Sequence, residues 1–322
     1  MKFIFVLSKN RYRFKSLNNF GKNQKIGKYF IINLFSYFIF LSFFLKQIKN
    51  IYFISIDQCL NIDKKNSFNF WLTGTIQKIP SQYFNKKNYV NMKSVFHEKD
   101  QVFQLYPLKV KKSYFKKNRR LIYASTYEIK KKQTSNIVWQ SINENVKIDF
   151  NLFDKKDFWQ SYESDIERFS IYRDLKNFQR KQILEEILKN YNNKFDLYGD
   201  DWSKIFDLSH SNIEGNKIKK IYNGNLCIDL GSKCGSLTLY PRSIEIIENG
   251  GLLLQLKQID SNEVFGQHTD RFTFDNFKSL NYNIERLLYD ENFYKEQIEI
   301  QYDIFKNSKK KLVDQLDLIF AK

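Results

Sequence analysis

From about residue 170 onward, short apolar runs alternate with helical patterns, and this alternation restricts the fold more than any other feature of the chain. Leu175, Phe178, Leu184, Ile187 and Leu188 mark a helix, and Lys194–Tyr198 reads as a strand ended by Gly199. A short helix around Ile218–Tyr222 precedes the strand Leu226–Leu230. A helix opening at Pro241 leads into the strand Leu252–Leu256, and Arg271–Phe274 reads as a further strand. Phe277, Leu280, Ile284, Leu287 and Leu288 then share one face of a helix capped by Asp275, and Leu312, Val313, Leu316, Ile319 and Phe320 define a closing helix. Such alternation predicts a parallel, doubly wound sheet whose ligand lies outside the carboxyl ends of the strands.

The first third is less regular. Lys2–Leu7 is too short for a signal-peptide core and reads as a first buried strand. The nearly continuous apolar run Tyr29–Leu45 spans only about 25 Å as a helix, short of the roughly 30 Å of a bilayer core, and Asn33, Ser36 and Ser42 interrupt it. Because the β-type run Asn50–Asp57 follows, the expectation is a βαβ unit with a buried crossover helix over about 30–47. A peripheral membrane contact or a true span are the alternatives. Lys109–Arg120 is the candidate linker, followed by a strand at Leu121–Thr126. With 322 residues, two domains are expected, 1–115 and 116–322.

The 53 Lys and Arg against 35 Asp and Glu leave a net charge of +18, which favours anionic partners such as nucleotides, nucleic acid or an anionic membrane surface. An AT-rich coding bias explains the same surplus, because Lys, Asn, Ile, Phe and Tyr are abundant while only 3 Pro and 11 Gly occur. Cys59, Cys227 and Cys234 are too few and too scattered for a disulfide framework or a zinc site, and His97, His210 and His268 have no metal-ligand spacing. No metal is expected, and a reducing cytoplasm, with possible peripheral contact at the inner face of the membrane, fits best. The basic clusters Lys109–Arg120 and Lys130–Lys132 lack a helix-turn-helix, zinc knuckle or stacking signature, which argues against nucleic acid.

The most informative segment is Leu239–Leu254. Pro241 suits the first helical position and Asn249-Gly250 a left-handed helix end, so a short helix points its N-terminus at the top of the sheet. Backbone N–H groups there attract an anion, and Arg242 adds a planar fork for phosphate oxygens. Glu245 lies three residues on, on the same helical face. A phosphate donor beside a hydroxyl-accepting carboxylate suits a nucleotide diphosphate with its ribose, while a plain Arg–Glu pair on the helix surface accounts equally for the spacing.

The stretches Phe195-Asp196-Leu197-Tyr198-Gly199-x-x-Trp202, Ile218–Leu230 and Tyr240–Leu253 together resemble the C-terminal donor-binding half of glycosyltransferase group 1-like proteins, the CgeB-type spore-protein group. The resemblance covers about 170–300. It implies a GT-B-like α/β fold: two Rossmann-like domains with parallel sheets, a nucleotide sugar in the cleft, no required metal or other cofactor, and final helices at about 291–320 packing back across the cleft. It implies that Gly199 closes the first strand over the cleft and that Arg242 and Ser243 meet the diphosphate. Glu245 would then hold the ribose, and Gly250 and Gly251 would turn the chain into the next strand within the donor site. Related retaining enzymes carry two glutamates seven residues apart; Glu245 matches the second, but Leu237 stands at the first. The stereochemical course stays open for that reason.

The function implied is transfer of a sugar from a nucleotide diphosphate to a glycan, lipid-linked or protein acceptor, in the manner of a metal-independent hexosyltransferase. The alternative is a noncatalytic binding or scaffold protein on the same fold, which Leu237 favours. No general base is assigned: His97 and Asp57 are candidates in the first domain. Trp202 either stacks on a base or packs in the core, Asp200-Asp201 reads as a turn or cap, and His268 sits in a polar loop.

Overall fold

A computed structural model describes residues 1–8, 23–35, 50–56, 67–71, 89–91, 103–125, 150, 152, 155–199, 202, 205–206, 215–231 and 237–321. Statements about structure below concern these residues. His97, His210, Asp57, Asp200-Asp201, Cys59, Cys234 and Lys130–Lys132 lie outside them.

The first sheet contains β1 (Lys2–Ser8), β2 (Gln24–Ile26), β3 (Tyr29–Phe35), β4 (Ile51–Ile56), β5 (Ser67–Trp71) and β6 (Tyr89–Asn91), in the order β2-β3-β1-β4-β5-β6. All neighbours are parallel except β2, which forms a hairpin with β3. The expected helix over about 30–47 is therefore corrected at its start. Tyr29–Phe35 is a strand in register with β1, Phe3 opposite Phe30 and Ile4 opposite Ile31, and the rest of that run, 36–49, is outside the described residues. Gly27, with φ +57°, makes the tight turn that brings β2 back onto β3.

The second sheet contains β7 (Leu121–Ala124), β8 (Phe195–Tyr198), β9 (Leu226–Asp229), β10 (Leu252–Leu256) and β11 (Thr273–Phe274), ordered β11-β10-β9-β7-β8 and parallel throughout. Its first two strands are joined through α1 (Lys156–Gln160) and α2 (Asp165–Tyr191). The later crossovers carry α3 (Gly215–Tyr222), α4 (Pro241–Glu248), and then α5 (Ser261–Phe265) with α6 (Thr269–Phe272). Arg271–Phe274 is thus a strand only in its last two residues, because Thr269–Phe272 is helical. The strands are apolar on both faces, Leu252, Leu253, Leu254 and Leu256 among them, as a sheet covered by helices on both sides requires.

Three helices close the chain: α7 (Phe277–Tyr289), α8 (Glu291–Phe305) and α9 (Ser308–Phe320). Asn276, not Asp275, caps α7, its side chain accepting from Ser279 N–H at 2.8 Å, while the Asp275 carboxylate accepts from Ser279 Oγ at 3.2 Å. The last helix returns to the first sheet. Phe320 stacks on Tyr52 with centroids 4.1 Å apart and meets Phe68 edge-on at 4.8 Å. Asp317 accepts from Tyr29 Oη at 2.5 Å and pairs with Lys28 at 2.8 Å. A Cβ on Gly27 would fall 2.8 Å from Val313 Cγ2, so the hairpin turn must be glycine for α9 to approach.

The expected linker Lys109–Arg120 runs without regular structure between β6 and β7, and three of its basic residues have defined partners. Arg120 grips Asp196 with two nitrogens at 2.9 and 2.5 Å, Lys112 pairs with Glu299 at 2.6 Å, and buried Arg119 donates to the Leu287 carbonyl at 2.5 Å and lies 4.4 Å over the Tyr294 ring. None of these three arginines and lysines is a loose surface charge awaiting a polyanion. No helix among the described residues is long and apolar enough to cross a membrane.

Candidate functional site

In the second sheet the chain leaves β7 for β8 on one side and then crosses to β9 on the other, so the strand order reverses between β7 and β9. A crevice opens at such a switch point, outside the carboxyl ends of the two strands. Ser125 follows β7 there, Asp229 ends β9 with Leu230 and Gly231 after it, and the helix α4 begins at the same edge after the segment 237–240.

The first turn of α4 is built by its sequence. Pro241 supplies a helical φ where no N–H is needed, and Ser243 reaches back to accept from the Tyr240 N–H at 2.9 Å. The same hydroxyl donates to the Thr238 carbonyl at 2.6 Å, with the Tyr240 carbonyl at 2.9 Å. Ser243 is fully buried and its hydroxyl is occupied in shaping the turn. Asp260, buried beyond β10, steadies the approach by accepting from both the N–H and hydroxyl of Thr238, at 2.9 and 2.8 Å.

Arg242 donates to Glu245 Oε2 at 2.9 Å and to Tyr222 Oη at 2.8 Å, while Lys219 lies 3.8 Å from the other Glu245 oxygen. The Arg242 side chain keeps 39% of its surface exposed, and both bonds hold its Nη1. Burial opposes its charge, but Tyr222, Glu245 and Asp229 outweigh that effect and hold the guanidinium above its ordinary range. Burial likewise pushes the Tyr222 phenol up, keeping it neutral and able to accept from Arg242. The two side chains are paired on α4, which is the helix-surface pair that the spacing allows.

The six residues singled out from sequence do not form one site. Arg242 and Ser243 lie on the first turn of α4, and Glu245 lies one turn on. Gly199, with φ +125°, follows β8 at the same edge of the sheet. Gly250 and Gly251 follow the other end of α4, about 12 Å along its axis, at the amino edge. Gly250 has φ +78°, and a Cβ there would lie 2.6 Å from Asn223 Oδ1; one on Gly251 would lie 2.8 Å from Cys227 Sγ and Ile246 Cγ2. Their role is the turn into β10.

Sequence reasoning missed three charged residues at the switch point. Asp229, 5% exposed at the end of β9, accepts from the Gly231 N–H at 2.9 Å. Burial pushes its carboxyl up against the opposing pull of Gly231, Arg242, Arg180 and Lys176. Arg180 and Lys176 come from α2, four residues apart, and both are buried. The signal was present: 176 and 180 continue the stripe that Ile183, Leu184 and Ile187 bury, so two cations occupy core-facing positions of a helix. Trp202 is core, its indole N–H donating to the Ser125 carbonyl at 2.6 Å and its ring edge-on to Tyr123 at 6.0 Å. His268 lies in a short helical turn after α5 and forms no cluster with these groups. Among the described residues no group of His, Cys, Asp or Glu could hold a metal ion.

A first sheet that is parallel except for β2, a second parallel sheet with helices in its crossovers, and closing helices that return from the second to the first define a GT-B-like α/β protein. No protein-family model matches the sequence, and no curated protein matches it. Among solved structures the chain is similar to T4 phage BGT, crystallised in complex with its UDP-glucose substrate. The identity is 11% and the TM-score 0.43, with 99% of this chain and 98% of that chain covered.

Proposed function

We propose that the chain is a glycosyltransferase that takes a sugar from a nucleotide diphosphate donor and passes it to a glycan, lipid-linked or protein acceptor. The observation that carries this reading is the pairing of Arg242 with Glu245 one turn apart near the start of α4, partly exposed at the carboxyl edge of the second sheet. Cleavage of the donor moves the bonding electrons between sugar and diphosphate onto the departing phosphate oxygen. A fixed guanidinium and the N–H groups of a helix start stabilise that charge without having to reorganise. Glu245 offers its carboxylate to ribose hydroxyls once a phosphate competes for Arg242. The resemblance of 170–300 to donor-binding halves of group 1-like glycosyltransferases adds to the case, and the CgeB-type assignment belongs with it.

A second reading, a noncatalytic nucleotide-sugar binder or scaffold, is favoured by Leu237. It is 3% exposed where related retaining enzymes carry a glutamate, so the chain places an apolar side chain in the core at that position. Incubation of the purified protein with UDP-, GDP- and ADP-sugars separates the two. Release of nucleoside diphosphate at a rate above the spontaneous one, abolished in Arg242→Ala, supports the transferase. Binding without release supports the scaffold, and neither binding nor release sinks both.

A further inference from the structure

Among the described residues, Arg180 is a buried guanidinium with only part of its donors used. Its side chain is 3% exposed; Nη2 donates to the Gly231 carbonyl, and Nε and Nη1 are buried with no hydrogen-bond partner. A guanidinium has five N–H donors, and leaving them unmade in a low-dielectric interior is costly. The surrounding charges do not resolve this. Arg180, Lys176 and Arg242 all act on Asp229, and Glu245 is already shared by Arg242 and Lys219. Among the described residues, cations therefore outnumber carboxylates around the end of β9, at the point where the strand order reverses.

The position is set by α2. Its 27 residues extend about 40 Å, against about 13 Å for the four residues of β8 into which it leads. The helix therefore overshoots the carboxyl edge, and Arg180, a little under halfway back from its end, is level with Gly231. Lys176, one turn further out, donates to Gln179 Oε1 at 3.0 Å.

We propose that Arg180, supported by Lys176, is a second phosphate-binding group at the switch point, completing with Arg242 a seat for the diphosphate of a nucleotide. Phosphate oxygens would accept separately from Nε and Nη1, which face opposite edges of the guanidinium, and would offset the surrounding positive charge. This rests on the reading of the second sheet as the nucleotide side, and it adds a residue that the α4 motif does not contain.

The test uses the full chain and four probes: a nucleoside, the corresponding nucleoside monophosphate and diphosphate, and inorganic pyrophosphate. Titration calorimetry and melting curves are run on the wild type, Arg180→Met and Arg180→Lys. Arg180→Met is expected to weaken nucleoside diphosphate and pyrophosphate binding roughly ten- to a hundredfold and to leave nucleoside binding unchanged. Arg180→Lys recovers part of the loss, because an ammonium keeps the charge without the fork. Without ligand, Arg180→Met melts at or above the wild-type temperature, since it replaces a half-satisfied buried cation by an apolar chain. A marked fall in its melting temperature makes Arg180 structural and overturns the proposal, as does unchanged diphosphate affinity. Pyrophosphate binding that needs Arg180 in a protein indifferent to nucleosides keeps the seat and removes the nucleotide reading. Nucleotide binding indifferent to Arg180 does the reverse, and a wild type that binds none of the probes refutes the seat.

Discussion

Replacing Phe320 by alanine tests the feature on which the two-sheet architecture depends, the return of α9 to the first sheet. Phe320 is 9% exposed and its ring meets Tyr52 at 4.1 Å, Phe68 at 4.8 Å and Tyr29 at 5.7 Å. Deleting a buried phenyl group costs about 3–5 kcal/mol, the transfer and cavity contributions together. Because Phe320 is the second-to-last residue of the described chain and the helix end can relax, the lower part of that range, about 3 kcal/mol, is expected. At about 2–4 °C per kcal/mol this is a fall of roughly 6–12 °C in melting temperature. Leu318→Ala is the internal control: Leu318 sits on the same helix, 69% exposed, and its loss should move stability by no more than about 0.5 kcal/mol. Amide exchange read with the melting curves should show faster exchange in β3 and β4 for Phe320→Ala and no change in β9 and β10. Equal effects of the two substitutions, or faster exchange confined to the second sheet, would refute the packing of α9 on the first.

Arg242→Ala should weaken nucleoside diphosphate binding by about 1.5–3 kcal/mol in calorimetry, and Arg242→Lys should restore only part of it. Glu245→Gln should lower affinity for the whole nucleotide more than for pyrophosphate; equal losses would remove the ribose role. Gly250→Ala should cost more than about 1 kcal/mol in denaturant unfolding, since the residue needs φ +78° and its Cβ would meet Asn223 Oδ1 at 2.6 Å. For Asp317 burial raises the carboxyl, but the contacts with Lys28, Tyr29 and Lys2 outweigh it, so its folded value lies below the ordinary one. Its contribution is present above about pH 4 and is lost as pH falls through the lower folded value, so melting temperatures of wild type and Asp317→Asn should draw together as pH falls below about 4 and meet once it is under the folded value. A gap that persists at pH 2 would show that the carboxylate charge is not what holds α9.

Much of the second sheet was legible because its elements are punctuated locally. Pro241 opens α4, Asn249-Gly250 closes it, and the leucine run of β10 has nowhere to go but a covered sheet, so the strands and most of the helices follow from patterns a few residues long. The Arg242–Glu245 spacing was legible for the same reason, since residues three apart on a helix must face the same way. The run from Tyr29 was not. A short apolar stretch fills a buried helix or a buried strand equally well by periodicity, and what makes Tyr29–Phe35 a strand is the pairing with β1 and the turn at Gly27, both supplied by residues outside the run. Arg271–Phe274 failed likewise, because only the edge of β10 decides how much of it is strand. Arg180 and Asp229 lie 49 positions apart on a helix and a strand that pattern reading treats as independent. Their meeting depends on the order of β8, β7 and β9 in the sheet, and that order is set by long-range pairing, which no local spacing encodes.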